Sequence, residues 1–417
     1  MVTSAILRTV ASPGNPTGLG TCPPSVLGYP PPAGPTHTGR VTSSLTLARV
    51  QGDLDVLSRA GLDLDDFLAE ATASVGRAVP WVGACVGTHD PATMMLTSAR
   101  KYGVLEADNE HDRLFGIIEY GTDDATSFRA LATSDHRAVG VHVVTAGDVE
   151  RSERMTRLMQ PVFGFADEAR LLFRDGSGVW GCMAVFRGGD EARFGEQEVD
   201  FLGTLSASFA RGVRAGILTR LAAAPAPALS TGGPAVVIVD AHDDIAQISL
   251  GAEERLAQLG GDAHRGDPLS LVTSLVGAAR RSASAPGAAL PRARVRTASG
   301  EWLLLHASPL SGARGAVGDV VVTIEEARPP EIVALVVAAF GLTPRERDVT
   351  RLVLQGVETK EIAAGLHMSA YTVQDHLKSV FEKAGVRSRR ELISRVYFDQ
   401  YVPRMGDDVG PLGWFVG

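Results

Sequence analysis

Apolar positions along this chain follow two spacings, and the points where one replaces the other mark its organisation. In "FGEQEVDFLGTLSASFARGVRAGILTRLA", Val199, Leu202, Leu205, Phe209, Val213 and Ile217 recur at steps of three or four, which predicts a long helix with one apolar stripe. Leu45–Arg59 and Leu64–Ala78 predict two further helices nearer the start. Between these the pattern shortens to strand-like runs: "WVGACVG", "TMMLTSA" after the Asp90-Pro91 turn, "AVGVHVVT", and a hairpin of "EARLLFR", "DGSG" and "VWGCMAVFR". Residues 42–222 therefore read as one α+β domain, followed by the linker "APAPALSTGGP".

Residues 234–327 repeat the mixture on a smaller scale. "PAVVIVDA" and "DIAQIS" are strands about a "HDD" turn, "AEERLAQLG" and "PLSLVTSLVGAARR" are helices, and "RARVRTA", "WLLLHASPL" and "VGDVVVTIEE" are three closing strands. A hydrophobic strand running into Asp240, Asp243 and Asp244 is also how a phosphorylated receiver domain begins. That reading fails on order: the elements do not alternate as a doubly wound sheet requires, and "SASAPGAALPRAR" supplies no strand ending in a phosphoacceptor Asp. The three aspartates are expected in a solvated hairpin turn. "RPPEIVALVVAAF", 328–340, is a helical connector. Residues 1–40, with eight Pro and six Gly and no apolar period, are expected to form a disordered tail.

Residues 341–400 change character. Thr343 and Glu346 make a capping box, with Pro344 at the first helical position, where its missing N–H costs nothing. Val349, Leu352 and Val353 give that helix an apolar face, and Gly356 suits the left-handed turn that stops it. Thr359 is expected to cap "KEIAAGL", Ser369 to cap the third helix, and Ser388 with Glu391 to cap "RRELISRVYF". Four short capped helices make an all-α unit with a helix-turn-helix at its centre. Wound at about 100° per residue, the third helix puts Leu377, Val380 and Ala384 beside Val373. Tyr371, Gln374, Asp375, Lys378 and Glu382 fall on the opposite side. Gln can pair bidentately with adenine and Lys with guanine, and Asp can accept from cytosine. Thr372 and Ser379 flank that face, and with Lys360, Arg387, Arg389 and Arg390 they are placed to meet phosphates.

Composition sharpens this picture. The net charge of −8 argues at first against nucleic acid, but it is unevenly spread. Residues 341–400 carry ten Lys and Arg against eight Asp and Glu, and 401–417 carry one Arg against two Asp, which leaves −9 for residues 1–340. A weakly basic tail on an acidic body is the distribution of a regulator with a small DNA-binding domain. No apolar run reaches the roughly 18 residues of a membrane span, and Arg8 breaks the only short apolar stretch at the start. A cytoplasmic protein with no membrane partner is expected.

The segment "LTPRERDVTRLVLQGVETKEIAAGLHMSAYTVQDHLKSVFEKAGVRSRREL" resembles the LuxR-type helix-turn-helix family of bacterial transcription regulators, through "LTPRE", "KEIA", "TV..HL" and "GVRSR". The resemblance implies a four-helix domain whose third helix enters the major groove of double-stranded DNA, as a homodimer on a two-fold site, with RNA polymerase as a further partner. It maps base contacts onto Gln374, Asp375 and Lys378, and backbone contacts onto Lys360, Thr372 and the Arg387–Arg389 segment. It assigns subunit pairing to the fourth helix at Leu392 and Val396. Gln374 stands where the family often has a basic residue, and Asp375 places a carboxylate beside phosphates. Residues 42–222 resemble a GAF-type domain in "ARLLFRDGSGVWGCMAVFR" and "RFGEQEVDFL", and the order of elements in 234–327 resembles a PAS-type sensor. The whole is similar to actinobacterial regulators of the LuxR type with a GAF-like front. That implies signal sensing, with an unknown small-molecule ligand in the GAF-like domain.

No nucleophile–base pair, phosphate loop or metal-ligand cluster stands out, so no enzyme, cofactor or metal site is expected. Cys85 and Cys182, both on strands, read as buried small hydrophobes rather than a redox switch. His136 and His142 alone are weak evidence for a metal, and Trp81, Met94, Met95, Phe115 and Trp180 read as core. Coupling between sensor and DNA head is expected through Gln197–Leu221 and Glu331–Phe340, each with an apolar stripe suited to pairing. A sigma-factor-like promoter reader would need a basic, aromatic-rich melting region that the acidic front does not supply. A redox or ligand signalling protein would need catalytic or thiol-reactive residues within 42–327, whereas front domains that act mainly as a dimerisation scaffold share the features above.

Overall fold

Ser43 and Asp63 accept hydrogen bonds from the amides of Thr46 and Asp65 and so open the first two helices, α1 (Ser44–Leu57) and α2 (Leu64–Ala78). The computed structural model describes residues 43–106, 108–223, 233–260, 266–284, 288–311, 317–398, 408–409 and 415–416. The 1–40 segment and most of the linker after Ala223 lie outside the described residues.

Strands β1 (Gly83–His89), β2 (Leu96–Gly103), β3 (Ala138–Gly140), β4 (Asp167–Asp175) and β5 (Gly178–Arg187) form an antiparallel sheet in the order β2-β1-β5-β4-β3. Helices α3 (Asp112–Gly121) and α4 (Phe128–Thr133) lie between β2 and β3, and α5 (Glu196–Ala223) follows β5. Both faces of β5 are covered, which is why its sequence runs apolar without alternating. Met183 and Val185 join the core beneath α1, α2 and α5, while Ala184 and Phe186 pack on the other side with Ile118 and Leu158. The run "AVGVHVVT" departs from expectation: the strand stops at Gly140, and Val141–Val144 is a helical turn. The buried Asp167 carboxylate takes the His142 amide at 3.0 Å, removing a donor that a longer strand would need.

The second unit contains β6 (Ala235–Val239), β7 (Ile245–Ile248), α6 (Ala252–Gln258), α7 (Leu269–Ala283), β8 (Arg292–Arg296), β9 (Trp302–Ser311) and β10 (Val317–Glu326). Its sheet runs β7-β6-β10-β9-β8, the same order as the first when each is counted from its own first strand. Asp240 closes the β6–β7 turn by accepting from the amides of His242 (2.8 Å) and Asp244 (3.1 Å), and Arg280 pairs with Asp243. None of the described helices is long and apolar enough to cross a membrane.

Close helix contacts tie these units together. Across α3 and α7, a Cβ on Gly116 would lie 2.8 Å from the Thr273 hydroxyl, and one on Gly277 would lie 3.0 Å from the Ile117 carbonyl. The Arg113 guanidinium meets Asp267 at 2.6 Å beside that contact. The connector, α8 (Pro329–Ala339), lends Leu335 and Ala339 to the core of the first unit. Ile332, Val336 and Phe340 enter a third core, formed with the residues beyond 341. The apolar stripes of α5 and α8, which the sequence suggests for pairing, are packed here within one chain. Arg214 on α5 fastens the contact by donating to the Ala339 carbonyl at 3.0 Å while pairing with Asp175 at 2.8 Å.

Helices α2 and α5 approach so closely that a Cβ on Gly212 would lie 2.1 Å from the edge of the Phe67 ring. Gly212→Ala is therefore expected to destabilise the protein by about 1–3 kcal/mol through overpacking, read as a lower urea midpoint. An unchanged midpoint would mean that the two helices stand further apart.

Candidate nucleic-acid interface

The C-terminal unit is built from α9 (Pro344–Leu354), α10 (Thr359–Gly365), α11 (Ala370–Ala384) and α12 (Arg389–Ile393), the last continued by a wider turn, Ser394–Phe398. The capping box at α9 forms in both directions: the Thr343 amide donates to Glu346 at 2.7 Å and the Glu346 amide to the Thr343 hydroxyl at 3.3 Å. Gly356 has φ 82° just past the helix. At α10 the cap is Glu358, not Thr359, because the carboxylate of Glu361, three residues on, accepts from the Glu358 amide at 3.3 Å. Ser369 caps α11 by accepting from the Thr372 amide at 3.0 Å. Gly385, φ 65°, ends it, with the Val386 amide bonded to the Phe381 carbonyl. Between α10 and α11 the turn bends through His367, a non-glycine residue at φ 55°.

Helix α11 is divided as its periodicity predicts. Val373, Leu377, Val380 and Ala384 are buried, and Gln374, Asp375, Lys378 and Glu382 are exposed. Tyr371, 77% exposed, opens the same outer face; the sequence placed it there without giving it a role. Lys360, Thr372, Arg387 and Arg390 are exposed around that face.

Four expected site residues are engaged inside the chain. The Ser379 hydroxyl turns away from the outer face and donates to Glu346 at 2.6 Å. Arg389 donates to the Val357 carbonyl, closing the loop after α9. Leu392 and Val396, expected at a subunit interface, are both fully buried in the C-terminal core, and the segment holding Val396 packs on α8. The apolar side of a short helix faces its own core first, so burial claims these positions before a partner can.

Glu346 does more than cap. Its carboxylate also accepts from Lys383 at 2.6 Å, so one buried group joins the start of α9 to two positions on α11. Burial works to raise its carboxyl, but Lys383, Ser379 and the Thr343 amide outweigh that and hold it down at about 2. No local pattern announces the Lys383 contact, because it spans 37 residues.

The first unit encloses a cavity between its sheet and α3, with Phe115, Leu158 and Phe186 among its apolar walls. Ser270 and Ser274 of α7 also line it, so it is built from both front units. Its polar floor is Glu119 and Arg170, part of a buried ring with Glu168 and Arg154 whose ion pairs span 2.7–2.8 Å. Cys85 and Cys182 both face it, and burial pushes each thiol up to about 12, so neither is a thiolate at neutral pH. His89 is driven down to about 3 by burial; its Nε2 meets the Tyr120 hydroxyl at 2.8 Å, and its ring stacks on Phe128. Of the five large residues read as core, Phe115 lines the cavity, whereas Trp180 and Trp81 pack with the helical layer, Met94 against the cluster of Phe128 and Leu172, and Met95 with the second unit. Among the described residues no group of three His, Cys, Asp or Glu is placed to hold a metal ion.

Residues 341–396 match the bacterial regulatory proteins of the luxR family. The chain is 52% identical over 53 residues to an HTH-type transcriptional regulator of Mycobacterium bovis, a stretch covering 13% of this chain and 6% of that protein. It is 42% identical over 52 residues to the spore germination protein GerE of Bacillus subtilis, covering 12% of this chain and 70% of GerE. It therefore spans only about 6% of the length of the mycobacterial relative. Among solved structures, Vibrio cholerae VqmA, a LuxR-type receptor, aligns at TM-score 0.20 and 15% identity over 40% of this chain and 82% of its own. The phycoerythrobilin-bound GAF domain of a cyanobacterial phytochrome aligns at TM-score 0.28 and 15% identity, over 41% and 97%. At these scores the likeness adds nothing to the fold described from the chain's own elements.

The depressed carboxyl of Glu346 gives a signed expectation. Its bonds stabilise the C-terminal unit fully above the ordinary value of 4.5 and are lost as pH falls from there toward 2. Glu346→Gln is expected to cost about 1–3 kcal/mol at pH 7 and to remove this acid-sensitive part of the stability. Urea unfolding at pH 7 and pH 3 reads both; a variant with the wild-type midpoint at pH 7 would show that Glu346 does not hold α9 to α11.

Proposed function

The chain belongs to the luxR family of bacterial regulatory proteins through residues 341–396, and from that premise we propose that it is a transcription regulator reading DNA with α11. The observation that carries this is the division of α11, in which Gln374, Asp375 and Lys378 stand exposed together opposite a fully buried face. In the major groove of double-stranded DNA those three side chains meet base edges, with Lys360, Thr372 and Arg387 on the flanking phosphates. Ser379 and Arg389 act by fixing α11 and the loop after α9 in place, since the Ser379 hydroxyl and one Arg389 nitrogen are bonded within the chain.

In this reading the protein acts in the cytoplasm as a homodimer on a two-fold site, without catalysis, and influences RNA polymerase. Pairing through α12 requires α8 to leave the segment around Val396, because the two are packed together in the single chain. The GAF-like first unit holds the signal molecule in the cavity beside Phe115. An occupant there touches α7 of the PAS-like second unit through Ser270 and Ser274. Both units meet α8, which leads directly to α9.

Selection of bound sequences from random DNA by the full-length protein is expected to return a two-fold motif with half-site centres about 10 bp apart. A pool with no shared motif would overturn the reading. Lys378→Ala is expected to relax base preference at one position in each half-site, costing about 1–3 kcal/mol. Lys360→Ala should weaken all sequences alike and flatten the salt dependence. Equal losses for both variants on every sequence would place α11 outside the groove.

A further inference from the structure

A second, smaller cavity lies where the two front units and the connector meet. Its volume is about 50 Å³, and it is bordered by Ser98 on β2, Arg220 on α5, Arg294, Arg296 and Trp302 of the second sheet, and Leu335 on α8. That is room for roughly three to five waters, enough for an ion of a few heavy atoms and too little for a nucleotide.

The charges around it do not balance. Arg294 is held by Asp90 at 2.5 and 2.6 Å, and Asp90 itself lines the cavity. Arg220 is held by Asp63 at 2.9 and 3.0 Å and by Asp65 at 2.5 Å. Arg100, behind Ser98, pairs with Asp65 as well. Arg296 is different. It donates to the backbone carbonyls of Arg220 (2.8 Å) and Gly300 (3.3 Å), and no carboxylate pairs with it among the described residues. Four guanidiniums therefore face three carboxylates. Burial and the neighbouring Arg220 push the Arg296 guanidinium down to about 10. Trp302, paired across the strands with Arg296, lines the same cavity, and its buried indole N–H has no acceptor among the described residues. A surplus cation and an idle donor at one half-buried place are both costly unless something accepts from them.

We propose that this cavity binds a small oxyanion, a phosphate or a small carboxylate, held between Arg296 and Arg220 with the Trp302 N–H as a further donor. Guanidinium groups suit either headgroup, since each presents paired oxygens to the planar fork. The occupant neutralises the surplus charge and rests against Leu335, so it steadies α8 at the point where all the units join. This inference stands independently of DNA recognition by α11.

The test uses the full-length protein, titrated separately with sodium phosphate and with sodium acetate at an ionic strength held constant with chloride. Thermal unfolding and tryptophan fluorescence are followed. A saturable rise in melting temperature is expected with one of the two anions; which one responds identifies the headgroup. Arg296→Gln should weaken that response at least tenfold and Arg296→Lys should weaken it less. Trp302→Phe should both weaken it and remove the fluorescence change. Arg151→Gln, on an exposed turn of the first unit, should leave it intact. Absence of a saturable response to either anion beyond that of chloride overturns the proposal, as does wild-type binding in Arg296→Gln. Should Arg296→Gln fail to fold, undiminished binding in both Arg296→Lys and Trp302→Phe is the overturning result.

Discussion

Helix α8 reads PPEIVALVVAA, apolar around nearly its whole circumference, and such a helix is stable in water only when it is covered on almost every side. The arrangement of the other units follows from that requirement. The first unit takes Leu335 and Ala339, and the C-terminal unit takes Ile332, Val336 and Phe340. The second unit contributes Leu304 and the Arg294 side chain, which donates to the Glu331 carbonyl at 2.7 Å. Helix α8 is therefore held by all three units at once.

Two clusters of buried charge give the two functional ends their shape. In the first unit, burial alone would raise Glu119, but Arg170 and Arg154 outweigh it and bring the carboxyl to about 2. The closed ring of two arginines and two glutamates tolerates desolvation because each carboxylate has several donors, and it supplies a rigid polar floor to an otherwise apolar cavity. In the C-terminal unit, Glu346 plays the equivalent part with fewer groups, locking the outward face of α11 relative to α9. With His89 neutral and both thiols protonated, the charged side chains lining the cavity of the first unit include Glu119 and Arg170 at its floor and Lys101, Asp108 and Asp112.

Much of the C-terminal unit was legible because its signals are local. The Thr343–Glu346 box, the Ser369 cap and the Gly356 stop each depend on residues within about one helical turn, and the outer face of α11 follows from periodicity alone. The exceptions show the limit of that logic. Thr359 is the better N-cap by residue type, yet Glu361 is spaced to reach the Glu358 amide and moves the cap by one. Ser379 lies beside the outer face by angle, yet its hydroxyl is drawn in by a carboxylate that no neighbouring position reveals. In the first unit "AVGVHVVT" has the composition of a strand, and a side chain from β4 captures the amide that would have continued it.

The sequence by itself determined most of the elements, their order, the multidomain α+β and all-α character and the face of α11 that meets solvent, because hydrogen bonds and periodicities acting over a few residues set these. Only the tertiary structure decided which strands are neighbours beyond the β4–β5 hairpin and the β6–β7 pair, that the two sheets share one order, and that Gly212 and Gly277 are sites of backbone-close packing. The same holds for Asp90 and Arg294, 204 residues apart, and for Glu346 and Lys383, 37 apart. Such pairs leave no trace in local pattern, since what brings them together is the burial of apolar surface elsewhere, α8 above all.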